Sequence, residues 1–367
     1  VRANTLRDGE SRGLYVLECG GGVYDNNDIY GHSSSNVEVE TKAVPTIKGN
    51  RIHGGHTQGV KVHTGGCGVF TGNDVFANAD AGFLIETDGV PLITGNKVRE
   101  GKAAGIVFGS GAGGVAEDND VTANAGPNML VEGGRSVTVS APVLKANRVS
   151  LGLSAGIACR GAGPTGAFTS NKPLTVAATA SGDNADGGAF TPNVPFAGAL
   201  GGTASVLDND VFTNAGPGID LSFGASPRVE GNKIRDGMAA GVYVKNAGGT
   251  FGNNDVTSNA GPGFHLDCGS QSCLSGNTIW EGKAEGVLLS GGGVSRSGGV
   301  DRPTLRSNCI QRNHLAGVSI TTGSDPLVEL NQISDGFDCG VSVSGGGLGT
   351  INNNSISANS CAGIAVS

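Results

Sequence analysis

The feature that most constrains this chain is a repeat of about 23 residues that recurs along the sequence. Each repeat is marked by an asparagine two residues before Leu, Ile or Val. The markers are Asn4, Asn27, Asn50, Asn73, Asn96, Asn119, Asn147, Asn209, Asn232, Asn254, Asn277, Asn308, Asn331 and Asn354. Because so short a unit cannot bury its own apolar face, successive units must stack on one another.

Within a unit, apolar residues alternate over short stretches between Gly, Asn and Pro, as in NDVFANADAGFLIETDGVPLITGNKV from Asn73 to Val98. This alternation predicts strands of three to five residues, and glycine, at 66 of 367 residues, supplies the many turns. Parallel crossover connections are strongly right-handed. The sequence therefore predicts an all-β fold, a single-stranded right-handed parallel β-helix of about 14 rungs that forms one continuous domain over residues 1–367.

The marker asparagines from Asn27 to Asn354 are predicted to form an internal structural ladder, with their amides bonded along the axis. Neighbouring units differ, so the repeat is a doublet of about 46 residues, two spacings of 23. The residue after the marker alternates in charge along Asp28, Arg51, Asp74, Lys97, Asp120, Arg148, Asp210, Lys233 and Asp255. Stacked opposite charges attract, so this alternation favours one register.

Two intervals are longer than the repeat. The 62 residues from Asn147 to Asn209 exceed 23 by 39, which predicts an inserted loop at 163–202. A smaller insertion is predicted at 291–300. Neither end of the sequence carries the amphipathic helix or polar face that usually caps a solenoid. We therefore expect a piece of something larger, with protein partners covering the open ends.

The charge and cysteine content bear on partners and compartment. A net charge of −8 argues against nucleic acid as a partner. The sequence contains no apolar run of 18 residues, so it predicts no membrane span. The eight cysteines lack Cys-x-x-Cys spacing, so we expect free thiols, no cofactor and an intracellular location. Secretion is the alternative, supported by the Asn353 sequon and a potential Cys268–Cys273 bridge.

The catalytic motifs typical of β-helix lyases, hydrolases or epimerases are absent from the sequence. The pairs Asp118/Asp120 and Asp208/Asp210 could hold calcium, but both lie at the alternating charge ladder. The histidines His32, His53, His56 and His63 lie at different offsets from their markers and should point in different directions. We therefore predict no catalytic residue and no metal site, and the question of an enzyme stays open with a preference against one.

The position three residues after the marker should face outward, because the apolar residue before it faces inward. It carries aromatic and arginine side chains, a composition typical of recognition surfaces, although simple stacking between rungs is the alternative. The candidate binding stripe is Tyr30, His53, Phe76, Arg99, Phe212, Arg235 and Trp280.

Several segments resemble a known family: NNDIYGH at Asn26, GNRIHGG at Gly49, the alternation of NDVF with NKVREG, and TTGSDPLVELNQISDGFDCGV from Thr321. They are similar to the β-helix of F-box-only protein eleven and its relatives, the carbohydrate-binding/sugar-hydrolase-type solenoids. The resemblance implies a β-helix that recognises substrate proteins for a ubiquitin ligase. No F-box is visible in the sequence, so only the protein-binding role carries over.

The leading prediction is therefore a non-catalytic protein–protein interaction or scaffold β-helix within a larger assembly. The alternative is a carbohydrate-active or carbohydrate-binding β-helix, similar to pectate lyases.

Overall fold

A computed structural model describes residues 1–133, 141–161, 203–291 and 302–367. Within these ranges the chain has 41 short strands and no helix. The predicted insertion at 163–202 lies outside the described residues, as does the one at 291–300 except for Gly291.

The strands form three parallel sheets. The first sheet contains β1 (Thr5–Arg7), β4 (Asp28–Tyr30), β7 (Arg51–His53), β10 (Asp74–Phe76), β13 (Lys97–Arg99), β16 (Asp120–Thr122), β19 (Arg148–Ser150), β22 (Asp210–Phe212), β25 (Lys233–Arg235), β28 (Asp255–Thr257), β31 (Thr278–Trp280), β34 (Cys309–Gln311), β37 (Gln332–Ser334) and β40 (Ser355–Ser357). The second contains β2 (Leu14–Val16), β5 (Val37–Val39), β8 (Val60–Val62), β11 (Phe83–Ile85), β14 (Ile106–Phe108), β17 (Met129–Glu132), β20 (Ile157–Arg160), β23 (Ile219–Ser222), β26 (Val242–Lys245), β29 (Phe264–Asp267), β32 (Val287–Ser290), β35 (Val318–Ile320), β38 (Val341–Val343) and β41 (Ile364–Val366). The third contains β3 (Val23–Asp25), β6 (Thr46–Lys48), β9 (Val69–Thr71), β12 (Leu92–Thr94), β15 (Val115–Glu117), β18 (Val143–Lys145), β21 (Ser205–Leu207), β24 (Arg228–Glu230), β27 (Gly248–Gly252), β30 (Gln271–Ser275), β33 (Thr304–Arg306), β36 (Leu327–Glu329) and β39 (Thr350–Asn352).

Each strand pairs with the strand three later in the chain, so one turn of the solenoid contributes one strand to each sheet. Fourteen strands in the first sheet and thirteen in the third correspond to thirteen complete turns among the described residues. The predicted all-β parallel solenoid is confirmed. Its register also follows the repeat, since Ile29 lies opposite Ile52 and Val75 opposite Val98.

The core is built from columns of inward side chains, one from each strand. Ile29, Ile52 and Val75 are fully buried in the first sheet. Phe70 and Phe83 meet edge to face with ring centroids 5.7 Å apart, linking the third sheet to the second. A three-residue strand buries at most three side chains, as Val37–Val39 does, so the core exists only because the rungs stack.

The marker asparagines form an unbroken hydrogen-bonded column from Asn4 to Asn354. In each step the amide Nδ2 donates to the Oδ1 of the next asparagine, as from Asn27 to Asn50 at 2.9 Å. Nδ2 also donates to a backbone carbonyl, as from Asn73 to Ile47 at 2.9 Å. The column thus satisfies buried backbone groups at a corner where no strand partner is available.

The first sheet is bounded by two corners in the left-handed backbone region. The residue before every marker has positive φ, and so does the residue four after it. Glycine fills some of these positions, but Asp118, Asp208 and Leu330 also adopt φ between 54° and 57°. Asp118 and Asp208 therefore lie at turns that the fold requires.

Candidate functional site

The outer face of the second sheet carries the most densely connected group of ionisable side chains near the start of the chain. Tyr15, Glu38 and Lys61 occupy the outward middle position of consecutive strands. Arg12 precedes β2, and Glu40 and His63 follow β5 and β8. We call Arg12, Tyr15, Glu38, Glu40 and His63 the Glu38 cluster.

Glu38 lies at the centre of the cluster and is only 4% exposed. The Arg12 guanidinium donates two hydrogen bonds to it, from Nε to Oε2 at 2.8 Å and from Nη2 to Oε1 at 3.0 Å. His63 Nε2 lies 3.2 Å from Oε1. Burial by itself raises the pKa of the Glu38 carboxyl, but the hydrogen bonds from Arg12 and His63 outweigh it and lower the pKa. Glu38 is thus held as a carboxylate.

Glu40 joins the tyrosine to the histidine. The Tyr15 hydroxyl donates a hydrogen bond to Glu40, and His63 Nε2 lies 3.4 Å from Glu40 Oε2. The hydrogen bond to Glu40 raises the pKa of the Tyr15 hydroxyl, because ionisation would place two negative charges together. A proton donor and a proton acceptor therefore lie side by side on an open face of the sheet.

Three members of the cluster have side-chain atoms that can bind a metal ion. Oxygen and nitrogen atoms of Glu38, Glu40 and His63 all lie within 4.8 Å of one another. The Arg12 guanidinium, however, already binds both oxygens of Glu38. A cation would have to displace this positive group, so the arrangement fits acid–base chemistry better than metal binding.

A second group of similar composition lies farther along the same outer face. We call Tyr243, Lys245, His265, Asp267 and Ser290 the Asp267 cluster. Asp267 Oδ2 accepts a hydrogen bond from Tyr243 at 3.0 Å, and His265 Nε2 lies 2.8 Å from Ser290 Oγ. Burial, together with the hydrogen bond to Asp267, raises the pKa of Tyr243 to about 12. Burial also lowers the pKa of His265. The pairing of tyrosine, histidine and carboxylate thus occurs twice on this face.

The seven residues of the candidate binding stripe lie on the first sheet, not on the face with the clusters. Register places Tyr30, His53, Phe76 and Arg99 on consecutive strands. The Tyr30 and His53 rings stack at 4.9 Å, and those of His53 and Phe76 at 4.5 Å. Arg99 covers the other face of Phe76 at 4.3 Å. These side chains are half-buried against one another.

The rest of the stripe follows the same pattern after the interruption by Thr122 and Ser150. Arg235 lies 4.4 Å over Phe212, and Trp280 is separated from Arg235 by Thr257. Stripe residues also reach back to an aspartate 25 residues earlier, as from Trp280 Nε1 to Asp255 Oδ1 at 2.7 Å. These contacts join neighbouring rungs, and a ligand-binding role for the stripe stays a prediction.

The two acidic pairs considered for calcium do not converge. Arg148 lies between Asp120 and Asp210 in the register of the first sheet. Among the described residues, the groups able to hold a metal ion include neither pair.

The four histidines occupy different environments. His32 is buried and accepts a hydrogen bond from Gly9 N at 3.2 Å. His53 stacks in the stripe, His56 is exposed, and His63 belongs to the Glu38 cluster. All eight cysteines are free thiols, and Cys268 and Cys273 are not bridged.

Sequence reasoning missed the Glu38 cluster because its members are far apart in the chain. Arg12 and Glu38 are 26 residues apart, and Glu38 and His63 are 25 apart. Once the 23-residue period is known, such spacings mark neighbouring rungs. The signal is therefore present in the sequence, but it lies in the second sheet and not in the column after the marker asparagine.

Comparison with known proteins places the chain among β-helix folds. The family described as "Right handed beta helix region" matches residues 1–144, 197–300 and 218–367. No curated protein matches the chain in sequence. Within the described residues, no helix has the length and apolar character needed to span a membrane.

Similar solved structures include the A-module of Azotobacter vinelandii mannuronan C-5 epimerase AlgE6. It matches with a TM-score of 0.55 and 13% identity, over 95% of this chain and 91% of that one. The AlgE4 A-module from the same organism matches with a TM-score of 0.44 and 14% identity, over 95% of this chain and 89% of that module. The Dettilon tailspike protein matches with a TM-score of 0.47 and 12% identity, over 94% of this chain and 62% of the tailspike chain. At 13% identity, the similarity to the AlgE6 A-module shows only that the two chains share a fold.

These matches correct the functional prediction. The interpretation as a non-catalytic protein-interaction or scaffold β-helix is wrong, because the similar structure with a TM-score above 0.5 is that of a mannuronan C-5 epimerase. Neither the relationship to F-box-only protein eleven nor protein partners that cap the ends is supported by them. The physical reason for the error is that contiguous motifs were taken as the sign of chemistry, whereas the ionisable groups converge across rungs.

Proposed function

The chain belongs to the right-handed β-helix family, and we propose that it is a carbohydrate-active protein whose Glu38 cluster performs acid–base chemistry on a polysaccharide. The observation that carries this proposal is the convergence of a phenol, an imidazole, two carboxylates and a guanidinium on one outward face. Such a face can accept an extended polymer, and its groups can donate and accept protons.

The members of the cluster have different roles. Tyr15 is the general acid, because its raised pKa keeps the hydroxyl protonated near neutral pH. His63 is the general base through Nδ1, which lies 2.8 Å from Thr64 Oγ1, because its Nε2 donates to the two carboxylates and is oriented by them. Glu38 is a positioning residue, because its lowered pKa makes it a poor proton donor. Arg12 fixes that carboxylate by its two hydrogen bonds.

A tyrosine acid beside a histidine base suits removal of a proton from a sugar carbon. His63 takes the proton, and Tyr15 protonates either the same carbon from the other side or the departing oxygen. The first outcome is epimerisation and the second is elimination. A carbon-bound proton is acidic enough only next to a carbonyl or carboxyl group, so the substrate is a polymer of sugar acids. Since a similar structure is that of a mannuronan C-5 epimerase, mannuronan is the first polymer to test.

Solvent-deuterium exchange tests the proposal without assuming which product forms. The protein is incubated with mannuronan and other sugar-acid polymers in D₂O, and deuterium on sugar carbons is measured by NMR. If the reaction is epimerisation, we expect deuterium to be incorporated on a sugar carbon. If it is elimination, we expect unsaturated chain ends. Tyr15→Phe and His63→Gln should each lower the rate roughly 10²–10⁴-fold. Tyr24→Phe on the third sheet and the exposed His56→Gln are matched controls that should keep the rate.

The proposal fails if no sugar-acid polymer gives exchange or unsaturated ends, or if both cluster variants react at the rate of the unaltered protein. Release of reducing ends without deuterium on carbon would identify hydrolysis and overturn the proton-abstraction step.

A further inference from the structure

Two cysteines and an aspartate converge on successive rungs near the end of the chain, far from the Glu38 cluster. Asp338 and Cys339 lie between β37 and β38, and Cys361 lies between β40 and β41. The backbone holds them in register, since Cys361 N donates to Asp338 O at 3.3 Å and Gly340 N to Ala362 O at 3.0 Å. The two sulfur atoms and a carboxylate oxygen all lie within 4.8 Å of one another.

The group lies at the surface of the solenoid. Asp338 and Cys339 are half-buried, and Cys361 is exposed. Within the described ranges, no Lys, Arg or His forms an ion pair with Asp338. Three groups that each bear a negative charge when deprotonated repel one another unless a cation lies between them.

We propose that Asp338, Cys339 and Cys361 bind a thiophilic divalent cation such as Zn²⁺. Two thiolates and a carboxylate are zinc ligands, and three protein ligands leave a fourth position for water. Each thiol releases its proton on binding. The separation of 22 residues between the cysteines hides the site from motif searches, because one turn of the solenoid brings them together. A disulfide would use both sulfurs but would leave the aspartate without a role.

Cadmium titration tests the site, because cadmium–thiolate bonds absorb in the ultraviolet. Reduced, chelator-treated protein is titrated with Cd²⁺ and then with competing Zn²⁺. We expect one equivalent of uptake with a thiolate signal, and a zinc-dependent rise in the unfolding midpoint. Cys339→Ser and Cys361→Ser should lose the signal, and Asp338→Asn should weaken uptake. Cys19→Ser and Cys273→Ser alter exposed cysteines outside the site. These two control variants should bind Cd²⁺ as the unaltered protein does.

Two results would overturn the proposal. One is Cd²⁺ uptake in Cys361→Ser equal to that of the unaltered chain, with circular dichroism showing that the variant is folded. The other is a Cys339–Cys361 disulfide, found by peptide mapping of protein purified without reductant.

Discussion

At the scale of the residue, the environment of a side chain on the solenoid decides its chemistry more than its type does. Glu38 and Glu10 are both glutamates, but Glu38 is buried beneath Arg12 and His63 whereas Glu10 is exposed. Similarly, Cys159 lies in the core and Cys19 on the surface. Each contrast can be measured by a simple experiment.

Glu38→Gln should remove a pH-dependent part of the stability. The pKa of Glu38 in the folded chain lies below its ordinary value of 4.5, so ionised Glu38 stabilises the fold above that pH. This contribution is lost as the pH falls through the folded pKa. The urea-unfolding midpoint of the unaltered protein should therefore fall more steeply below pH 4.5 than that of Glu38→Gln. At pH 7 the variant should be less stable by about 1–3 kcal/mol. Glu10→Gln should leave both values unchanged.

Cys159 should resist alkylation in the folded protein. Burial raises the pKa of its thiol to about 12, and the thiolate is the reactive form. Iodoacetamide should modify the exposed Cys19 and Cys273 and leave Cys159 unmodified, which mass spectrometry detects. In urea all should react. Labelling of native Cys159 as fast as Cys19 would contradict its placement in the core.

At the scale of the element, the corners matter more than the strands, because strands of three residues contribute few contacts of their own. The asparagine column satisfies one corner through side chains. Positive φ shapes the residues beside it, including several that are not glycine. Both features can be tested by single substitutions.

Asn73→Ala should destabilise the solenoid by roughly 2–3 kcal/mol, since buried partners then lack hydrogen bonds. The lost contacts join Asn73 to Ile47 O, Asn96 Oδ1 and Asn50 N at 2.9, 2.9 and 3.0 Å. The urea-unfolding midpoint measures the effect. Asn352→Ala, at an exposed position, is the control and should change little. Equal midpoints for the two variants would show that the column does not stabilise the fold.

Leu330→Gly should stabilise the protein by up to about 1 kcal/mol. Leu330 has φ of 57° and is 46% exposed, so glycine relieves backbone strain with little loss of burial. Leu348 is 60% exposed but has no positive φ, so Leu348→Gly should lower the melting temperature instead. A lower melting temperature for Leu330→Gly would contradict the strain argument.

At the scale of the whole molecule, stacking separates the surface into faces with different chemistry. The first sheet carries stacked aromatic and arginine side chains, and the second carries the two tyrosine–histidine–carboxylate clusters. A polymer that binds along one face does not touch the other.

Trp280 reports on this separation, because it is the one tryptophan of the chain and lies on the first sheet. If the polymer binds on the second sheet, Trp280 fluorescence should not change on adding mannuronan. A Leu84→Trp reporter, placed beside Lys61 on the second sheet in a Trp280→Phe background, should respond. Quenching of Trp280 with no response from the reporter would place binding on the stripe Tyr30 to Trp280 instead.

The period of the sequence by itself determined the parallel solenoid, the inward columns such as Ile29 and Ile52, and the position of the asparagine column. It could do so because alternation and repeat length act locally and identically in every unit. Only the tertiary structure decided which outward side chains meet. Arg12, Glu38 and His63 come from three successive rungs, and Cys361 meets Asp338 and Cys339 one turn away. The period places these residues on neighbouring rungs, but their contacts also depend on corner geometry and side-chain direction, which the spacing of residues does not encode.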